Sequence, residues 1–309
     1  MQRILDRRAV VTGLAATGAA ISGGAAEPQI RFLGLGDWGR DGQFHQRDVA
    51  KAMEAAAAEL DSQFVMVVGD NFYPNGVRTA HDAQWKTSFE DVYTGPHLQV
   101  PWLVALGNHD YHTEPQAQLD YARTSSRWRL PSRYYKVAGA SFGLPEADFF
   151  CIDTTPLMDD YEGRTKVHTG EGVDPLDRNA QLAWLDTALG SSAAAWKIVW
   201  GHHTIRSGGS THGDTPEMVA RVLPILQKHG VQVYICGHDH DLQHIRRDGL
   251  DYILTGAGSQ VRPVKPVQGT EFCQSVSGFT SFSLTASALT VAFRNSANAV
   301  LHTAVIKCG

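Results

Sequence analysis

Five short segments of the chain each follow an apolar run and each carry residues able to bind a metal. They are Gly36-Asp37-Trp38-Gly39, Gly69-Asp70-Asn71-Phe72-Tyr73, Gly107-Asn108-His109-Asp110, Gly201-His202-His203 and Gly237-His238-Asp239-His240. Together they offer the carboxylates of Asp37 and Asp70, the phenol of Tyr73, the amide of Asn108 and the imidazoles of His202, His238 and His240. That set is enough to hold two ions sharing Asp70, and two adjacent cations point to hydrolysis of a phosphate ester. A single Gly-Asp or Gly-His pair arises by chance. Five in series, each behind a buried strand, form a ligand cluster too dense to be scattered loop residues.

The elements that must position these residues follow from the apolar runs. Ile30–Leu35, Phe64–Val68, Trp102–Leu106, Phe149–Ile152, Trp196–Trp200 and Val231–Cys236 are short, β-branched or aromatic, and read as buried strands. Gly after each of the motif-bearing strands allows the sharp turn that throws the next side chain over the strand end, where open α/β sheets bind their ligands. Helices are predicted over Gln43–Leu60, over Asp177–Leu189 with Asp177 as N-cap, and after Thr215-Pro216-Glu217, the last interrupted at Pro224. From Tyr252 onward, Tyr252–Leu254, Phe279–Leu284, Leu289–Arg294 and Val300–Ile306 read as strands, the last three an antiparallel tail. Alternating β and α followed by a β run predicts one α/β domain with two packed sheets flanked by helices, over residues 27–309. Residues 156–176 are polar and without periodicity, hence a long loop.

Composition limits the partners. The 309 residues are 43% hydrophobic with a formal charge of −5, so no broad basic field exists for nucleic-acid backbones. No apolar stretch reaches the roughly 18–20 residues of a membrane span. Residues 1–26 read as an export signal: Arg7-Arg8 precede the uncharged run Ala9–Ile21, with small residues before a cleavage point near Ala26-Glu27, as in twin-arginine signals. The expected destination is therefore periplasmic or secreted, with the twin-arginine machinery as a partner. Cys151 and Cys236 fall in or at the end of apolar runs and read as buried thiols. Cys273 and Cys308 are flanked by polar residues and are open to pairing in an oxidising compartment.

The five motifs, in this order, resemble those of the metallophosphoesterases, and within them the purple acid phosphatases of the short, tartrate-resistant type. The resemblance extends to Phe89-Glu90-Asp91-Val92, Val100-Pro101-Trp102, Arg127-Trp128 and Gln181-Leu182-Ala183-Trp184-Leu185, and spans roughly residues 30–260. It implies a four-layer α/β/β/α sandwich of two mixed sheets with antiparallel C-terminal strands. Gly39 stands where the broader group usually has a histidine, and Tyr73 adds a phenol three residues after Asp70. Losing an imidazole and gaining a phenolate suits a hard trivalent ion. The resemblance accordingly implies Fe(III) on Asp37, Asp70, Tyr73 and His240, and a divalent Fe, Zn or Mn on Asn108, His202, His238 and the shared Asp70.

The implied activity is hydrolysis of phosphate monoesters, of small molecules or a phosphoprotein, under acidic conditions. Such hydrolysis can require acceleration of up to about 10²¹, roughly 29 kcal/mol, of which positioning supplies about 7–11 kcal/mol. Two cations can furnish much of the rest, by attack of metal-bound hydroxide with inversion at phosphorus and no phosphoenzyme. His109 and His212 match second-sphere histidines that, with Asn108, bind phosphate and assist the leaving group. Asp239, between two ligands, is expected to orient a neighbouring imidazole. Asn71 and Tyr111 are candidates for substrate contact or packing, His203 and His112 for surface or packing roles. The 156–176 loop, with Asp159, Asp160, Glu162 and Glu171, would make an acidic lid or a solvated loop. Rival readings are a phosphodiesterase or nucleotidase on the same scaffold, an iron-dependent oxygen-radical activity, and a non-catalytic phosphate-binding protein.

Overall fold

The strand-forming runs pair into two mixed seven-stranded sheets. The computed structural model describes residues 27–161 and 175–308; the predicted export segment, Glu162 and Glu171 lie outside the described residues. The first half of the chain supplies β1 (Gln29–Leu35), α1 (Gln46–Leu60), β2 (Phe64–Val68), β3 (Trp102–Ala105), α2 (Gln116–Ala122), β4 (Trp128–Arg129), β5 (Tyr135–Ala138) and β6 (Ala147–Cys151). Then come α3 (Pro175–Ser191), β7 (Trp196–Trp200), α4 (Pro216–Arg221), α5 (Leu223–Lys228), β8 (Val233–Cys236), β9 (Leu242–Arg247) and β10 (Leu250–Thr255). Four strands close the chain: β11 (Thr270–Gln274), β12 (Gly278–Thr285), β13 (Ala288–Asn295) and β14 (Val300–Lys307).

One sheet has the order β14-β13-β12-β1-β2-β3-β4 and the other β11-β9-β10-β8-β7-β6-β5. β1 to β4 run parallel, and β12 turns antiparallel against β1 with Phe32 opposite Phe282. In the second sheet β6, β7, β8 and β10 are parallel. Apolar side chains from both sheets fill the space between them. Phe32 stacks on Phe64 (4.7 Å) and Phe282 (4.5 Å) within its own sheet and meets Phe149 of the other edge-on at 5.8 Å. Such ring pairs each add about 0.5–1.5 kcal/mol beyond area burial. Leu185 and Leu189 of α3 and Leu223 and Leu226 of α5 cover the outer face of the second sheet, over Phe150, Val199 and Tyr234. α1 lies against β1 and β12. Among the described residues no helix is long and apolar enough to cross a membrane.

Several local expectations need correction. α1 begins at Gln46, not Gln43, because Phe44 and His45 take positive φ; the Gln46 side chain instead accepts the backbone N–H groups of Arg40 and Gly42. Asp177 lies inside α3 rather than capping it. Thr215 stands at the N-cap position of α4 without a side-chain bond to the helix, its hydroxyl bonded to Thr204 instead, and the chain breaks at Val222 before Pro224. The 156–176 loop is shorter than expected, since Thr155–Leu157 and Asp159–Tyr161 each form a helical turn and α3 starts at Pro175. All four cysteines are free. Cys273 neighbours Phe272, which stacks on His302 of β14, while Cys308 lies six residues further along, roughly 20 Å at the rise of a strand. The two thiols are therefore out of bonding reach.

Candidate metal centre

The ligand-bearing loops leave the carboxyl ends of β1, β2, β3, β7 and β8 at one rim where the two sheets meet. Strand-end turns carry strain there: Asp37, Asp70 and His238 themselves adopt positive φ (58°, 49° and 69°), a conformation costing of order 1–3 kcal/mol outside glycine. The expectation that glycine alone takes the turn is thus only partly met. Gly69 does so, with φ 94°. Gly107 and Gly237 are required for space instead, since a Cβ on either would run into the carboxylate of Asp70 or Asp37 respectively.

Tyr73 gathers the first half of the centre. Its Oη lies 2.8 Å from Asp70 Oδ2, 3.0 Å from Asp37 Oδ1 and 3.0 Å from His240 Nε2. Asp37, Asp70 and His240 can place one donor atom each within 4.8 Å of one another. His240 Nδ1 donates to the Gln260 carbonyl (3.0 Å), which turns the Nε2 lone pair inward. Burial, with the neighbouring Asp70, holds the Asp37 carboxyl well above the usual carboxylate range. Burial and both carboxylates push the Tyr73 phenol up as well, while burial and Arg262 lower His240 to about 3, a neutral imidazole. Buried carboxyl, phenol and imidazole groups that burial keeps from ionising alone, with their donor atoms converging, suit a hard cation that would take the place of their protons.

The second half uses the other oxygen of Asp70. His202 Nε2 stands 3.3 Å from Asp70 Oδ1 and 3.1 Å from Asn108 Oδ1, and His238 Nδ1 is 3.1 Å from that same Nε2. His202 Nδ1 donates to the Val68 carbonyl (2.9 Å). Against burial, the charge and hydrogen bond of Asp70 raise His202 to about 9. Burial would raise Asp70, yet His202, His109 and His238 carry it well below its ordinary value. The residues present therefore fit two cations on either side of one carboxylate, with oxygen-rich donors on one side and nitrogen-rich donors on the other.

The calcineurin-like phosphoesterase family model matches residues 30–242. Purple acid phosphatase 3 of Arabidopsis thaliana is 39% identical over 285 residues, covering 88% of this chain and 76% of that protein. Tartrate-resistant acid phosphatase type 5 of Homo sapiens is 33% identical over 291 residues, covering 87% and 88%. The chain belongs to the purple acid phosphatases. By family it is a phosphoric monoester hydrolase. Solved structures agree on the fold: GAP50, the anchor in the inner membrane complex of Plasmodium, superposes with a TM-score of 0.79 at 24% identity over 92% of this chain and 90% of that one. A purple acid phosphatase of yellow lupin gives 0.68 at 16% identity over 91% and 54%.

Around this phosphatase centre the structure assembles residues that the sequence reading assigned and others that it missed. His109 Nδ1 donates to the Pro74 carbonyl (2.6 Å), leaving Nε2 3.9 Å from Asp70 Oδ2. His212 stacks on His238 with ring centroids 3.9 Å apart. Asp239 does not orient an imidazole: its carboxylate accepts from Ser207 Oγ (2.5 Å) and from the backbone N–H groups of His212 (3.2 Å) and Gly213 (3.1 Å). It fixes the loop that carries His212. A cavity of about 360 Å³ opens beside this half, lined by Asn108, Met158, His203, His212, Glu217 and His238. His203, read as a surface or packing residue, packs: it is buried beneath His238 (4.3 Å between rings) and bonded to Thr154 Oγ1 (2.8 Å). Asn71 and Tyr111 pack rather than face the cavity. Asn71 donates to Ala105 O and Gln118 Oε1, and Tyr111 donates to Asp153. Asp110, quoted in a motif but unassigned, receives the N–H groups of Asn71 and Gly107 and holds their loops together. Asp159 is paired with Arg178 and Arg221.

Proposed function

We propose that this chain is an exported acid phosphatase that hydrolyses phosphate monoesters at a dinuclear centre of Fe(III) and a divalent ion, Fe, Zn or Mn. One observation carries the reading. Asp70 turns Oδ2 toward Tyr73 and Oδ1 toward His202, so a single carboxylate faces two different donor sets. Asp37, Asp70, Tyr73 and His240 would hold the ferric ion, and Asn108, His202, His238 and Asp70 the divalent one. Bound there, the two ions supply charge neutralisation for the phosphoryl oxygens and an acidified water as nucleophile.

The protein's own side chains do the rest. His109, fixed through Nδ1, aims Nε2 into the space above Asp70 and can donate a proton to a phosphate oxygen or the departing alkoxide. Asn108 and His212 border the cavity in which the leaving group would sit. Burial lowers His109 and, despite the nearby Asp239, His212. Each therefore gives up its proton at a lower pH than an ordinary histidine and is charged only in acid, which supports an acid-active enzyme. The uncharged run behind Arg7-Arg8 supports export.

Metal analysis and the visible spectrum of purified protein test this, alongside hydrolysis of a phosphomonoester and a bis-ester at acidic pH. Iron, a visible absorption band lost in Tyr73→Phe, and preference for the monoester are expected. Colourless, iron-free protein with full activity would sink the reading.

A further inference from the structure

The sandwich is incompletely closed at the flank where β4 and β5 form the edges of its two sheets. β4 is only two residues long and sets Trp128 and Arg129 beside Trp102 and Leu103, so it cannot cover the rest of β3. Tyr135 of β5 bridges the gap: its Oη lies 3.0 Å from the Val104 carbonyl oxygen and 3.1 Å from that of Arg129. Beside this bridge a cavity of about 370 Å³ remains, lined by Leu103, Leu119, Trp128, Leu130, Tyr135 and Val137. Small-molecule sites commonly measure about 300–1,000 Å³. The cavity shares no residue with the one that opens beside the metal centre.

Its depth and its mouth differ in character. Leu103, Trp128, Leu130 and Tyr135 are each 7% exposed or less. Arg123, Arg129 and Lys136 also line the cavity and are exposed. No carboxylate lines it. Arg123 and Lys136 are compensated from outside the lining, by Asp120 (3.0 Å) and Asp148 (2.7 Å). Among the described residues the Arg129 side chain has no hydrogen bond or ion pair, and the buried indole N–H of Trp128 has no acceptor. An apolar interior beneath an uncompensated guanidinium is complementary to a molecule with an apolar tail and an anionic head. The tail would displace water from apolar surface, and the planar donor fork matches a carboxylate in two parallel hydrogen bonds.

We propose that this cavity is a binding site for a single-chain amphiphilic carboxylate taken from solution, with its aliphatic tail against Leu103, Leu130 and Val137 and its carboxylate on the guanidinium of Arg129. The site stands apart from the two-metal centre and does not depend on the reaction run there.

Calorimetry with laurate below its micellar concentration tests this, on metal-loaded protein held in saturating orthophosphate to keep the carboxylate off the metals. Acetate serves as the tail-less probe and dodecyltrimethylammonium as the cationic one. One saturable laurate site per chain is expected, with a rise in Tm on binding, and each of the other probes should bind at least tenfold more weakly. Arg129→Gln should weaken laurate about tenfold, as for a lost charge-assisted hydrogen bond, and Arg129→Lys should recover part of that loss. Ala122→Phe, which adds a ring to the lining from α2, should abolish binding; should that variant fail to fold, the two exposed Arg129 substitutions decide alone. Laurate binding unchanged in Arg129→Gln, or equal binding of the cationic probe, overturns the proposal. So does protein that ignores free laurate but floats with anionic phosphatidylglycerol vesicles, which would make this flank a membrane contact instead.

Discussion

Around Tyr73 the centre is buried and rich in oxygen donors: Asp37, Asp70, Tyr73 and His240 are each 4% exposed or less, and Arg40 covers the phenol ring. Around His202 and His238 it is built of imidazole and amide, and it opens onto the cavity bordered by His203, His212 and Asn108. The two halves share Asp70 and little else. A desolvated, oxygen-rich donor set is suited to retaining a highly charged ion. A nitrogen-rich donor set next to open space is suited to an exchangeable ion and to a substrate that comes and goes. On the proposed two-metal reading, one half would store charge and the other would admit substrate.

The largest effect is expected where that division disappears. Asp70→Asn removes the one ligand common to both halves and should lower phosphomonoester kcat by roughly 10⁴-fold or more, beyond the 10²–10³ typical of losing a single electrostatic contact. Metal analysis should find both ions depleted. Retention of either ion at full occupancy would mean that the halves do not depend on a common bridge.

A smaller, asymmetric effect is expected from ligands of one half only. On the proposed Fe(III)–divalent reading, His238→Ala should lose the divalent ion, keep the coloured ferric one, and fall in activity by about 10²–10³-fold, with partial recovery in excess zinc. Loss of colour in this variant would break the assignment of separate roles. Truncating His212, which touches the open half without belonging to either donor set, should cost about 10²-fold if it supplies a proton. Its pH profile gives the sharper reading. Burial lowers His109 and His212, so the acid form of each is lost as pH rises through a value below that of an ordinary histidine. The wild-type basic limb should lie there and should change shape in His212→Ala. An unaltered limb would remove His212 from proton transfer.

Much of this was legible in the sequence because the same short strings set both strand ends and ligands. Phe64–Val68 and Trp196–Trp200 are strands over the expected residues, and each delivers its motif directly. β9 and β11 were missed, since Leu242–Arg247 and Thr270–Gln274 interleave polar residues and take their shape from pairing with each other and with β10. Arg40 and Arg262 were missed for a related reason. Arg40 directly follows the first motif and lies over Tyr73, whereas Arg262 meets the centre through the loop after β10, and no spacing rule links the two. Asp239 was noticed but given the wrong partners. Its position between two histidines suggests a ring contact, yet a close approach at Gly209 lets the 207–213 loop wrap its carboxylate instead.

The half around Tyr73 also carries a test of its burial that needs no substrate. Asp241 follows His240 directly and is fully buried; Oδ1 accepts from Gln243 Nε2 (2.7 Å), and Oδ2 has no partner. Burial, with Asp239 nearby, raises its carboxyl to about 8. A carboxyl raised this far keeps its proton in the native state and gives it up on unfolding at any pH between about 4 and 8. The unfolded chain then binds fewer protons, so stability declines as pH climbs across that window. Asp241→Asn mimics the neutral form and should flatten the decline: nearly unchanged melting near pH 4, and a gain of up to a few kcal/mol near pH 8. Thermal melts of wild type and variant at several pH values, all taken with the same metal loading, decide the matter. Parallel curves would show that Asp241 is ionised in the folded protein, and that the half of the centre behind His240 is wetter than its packing implies.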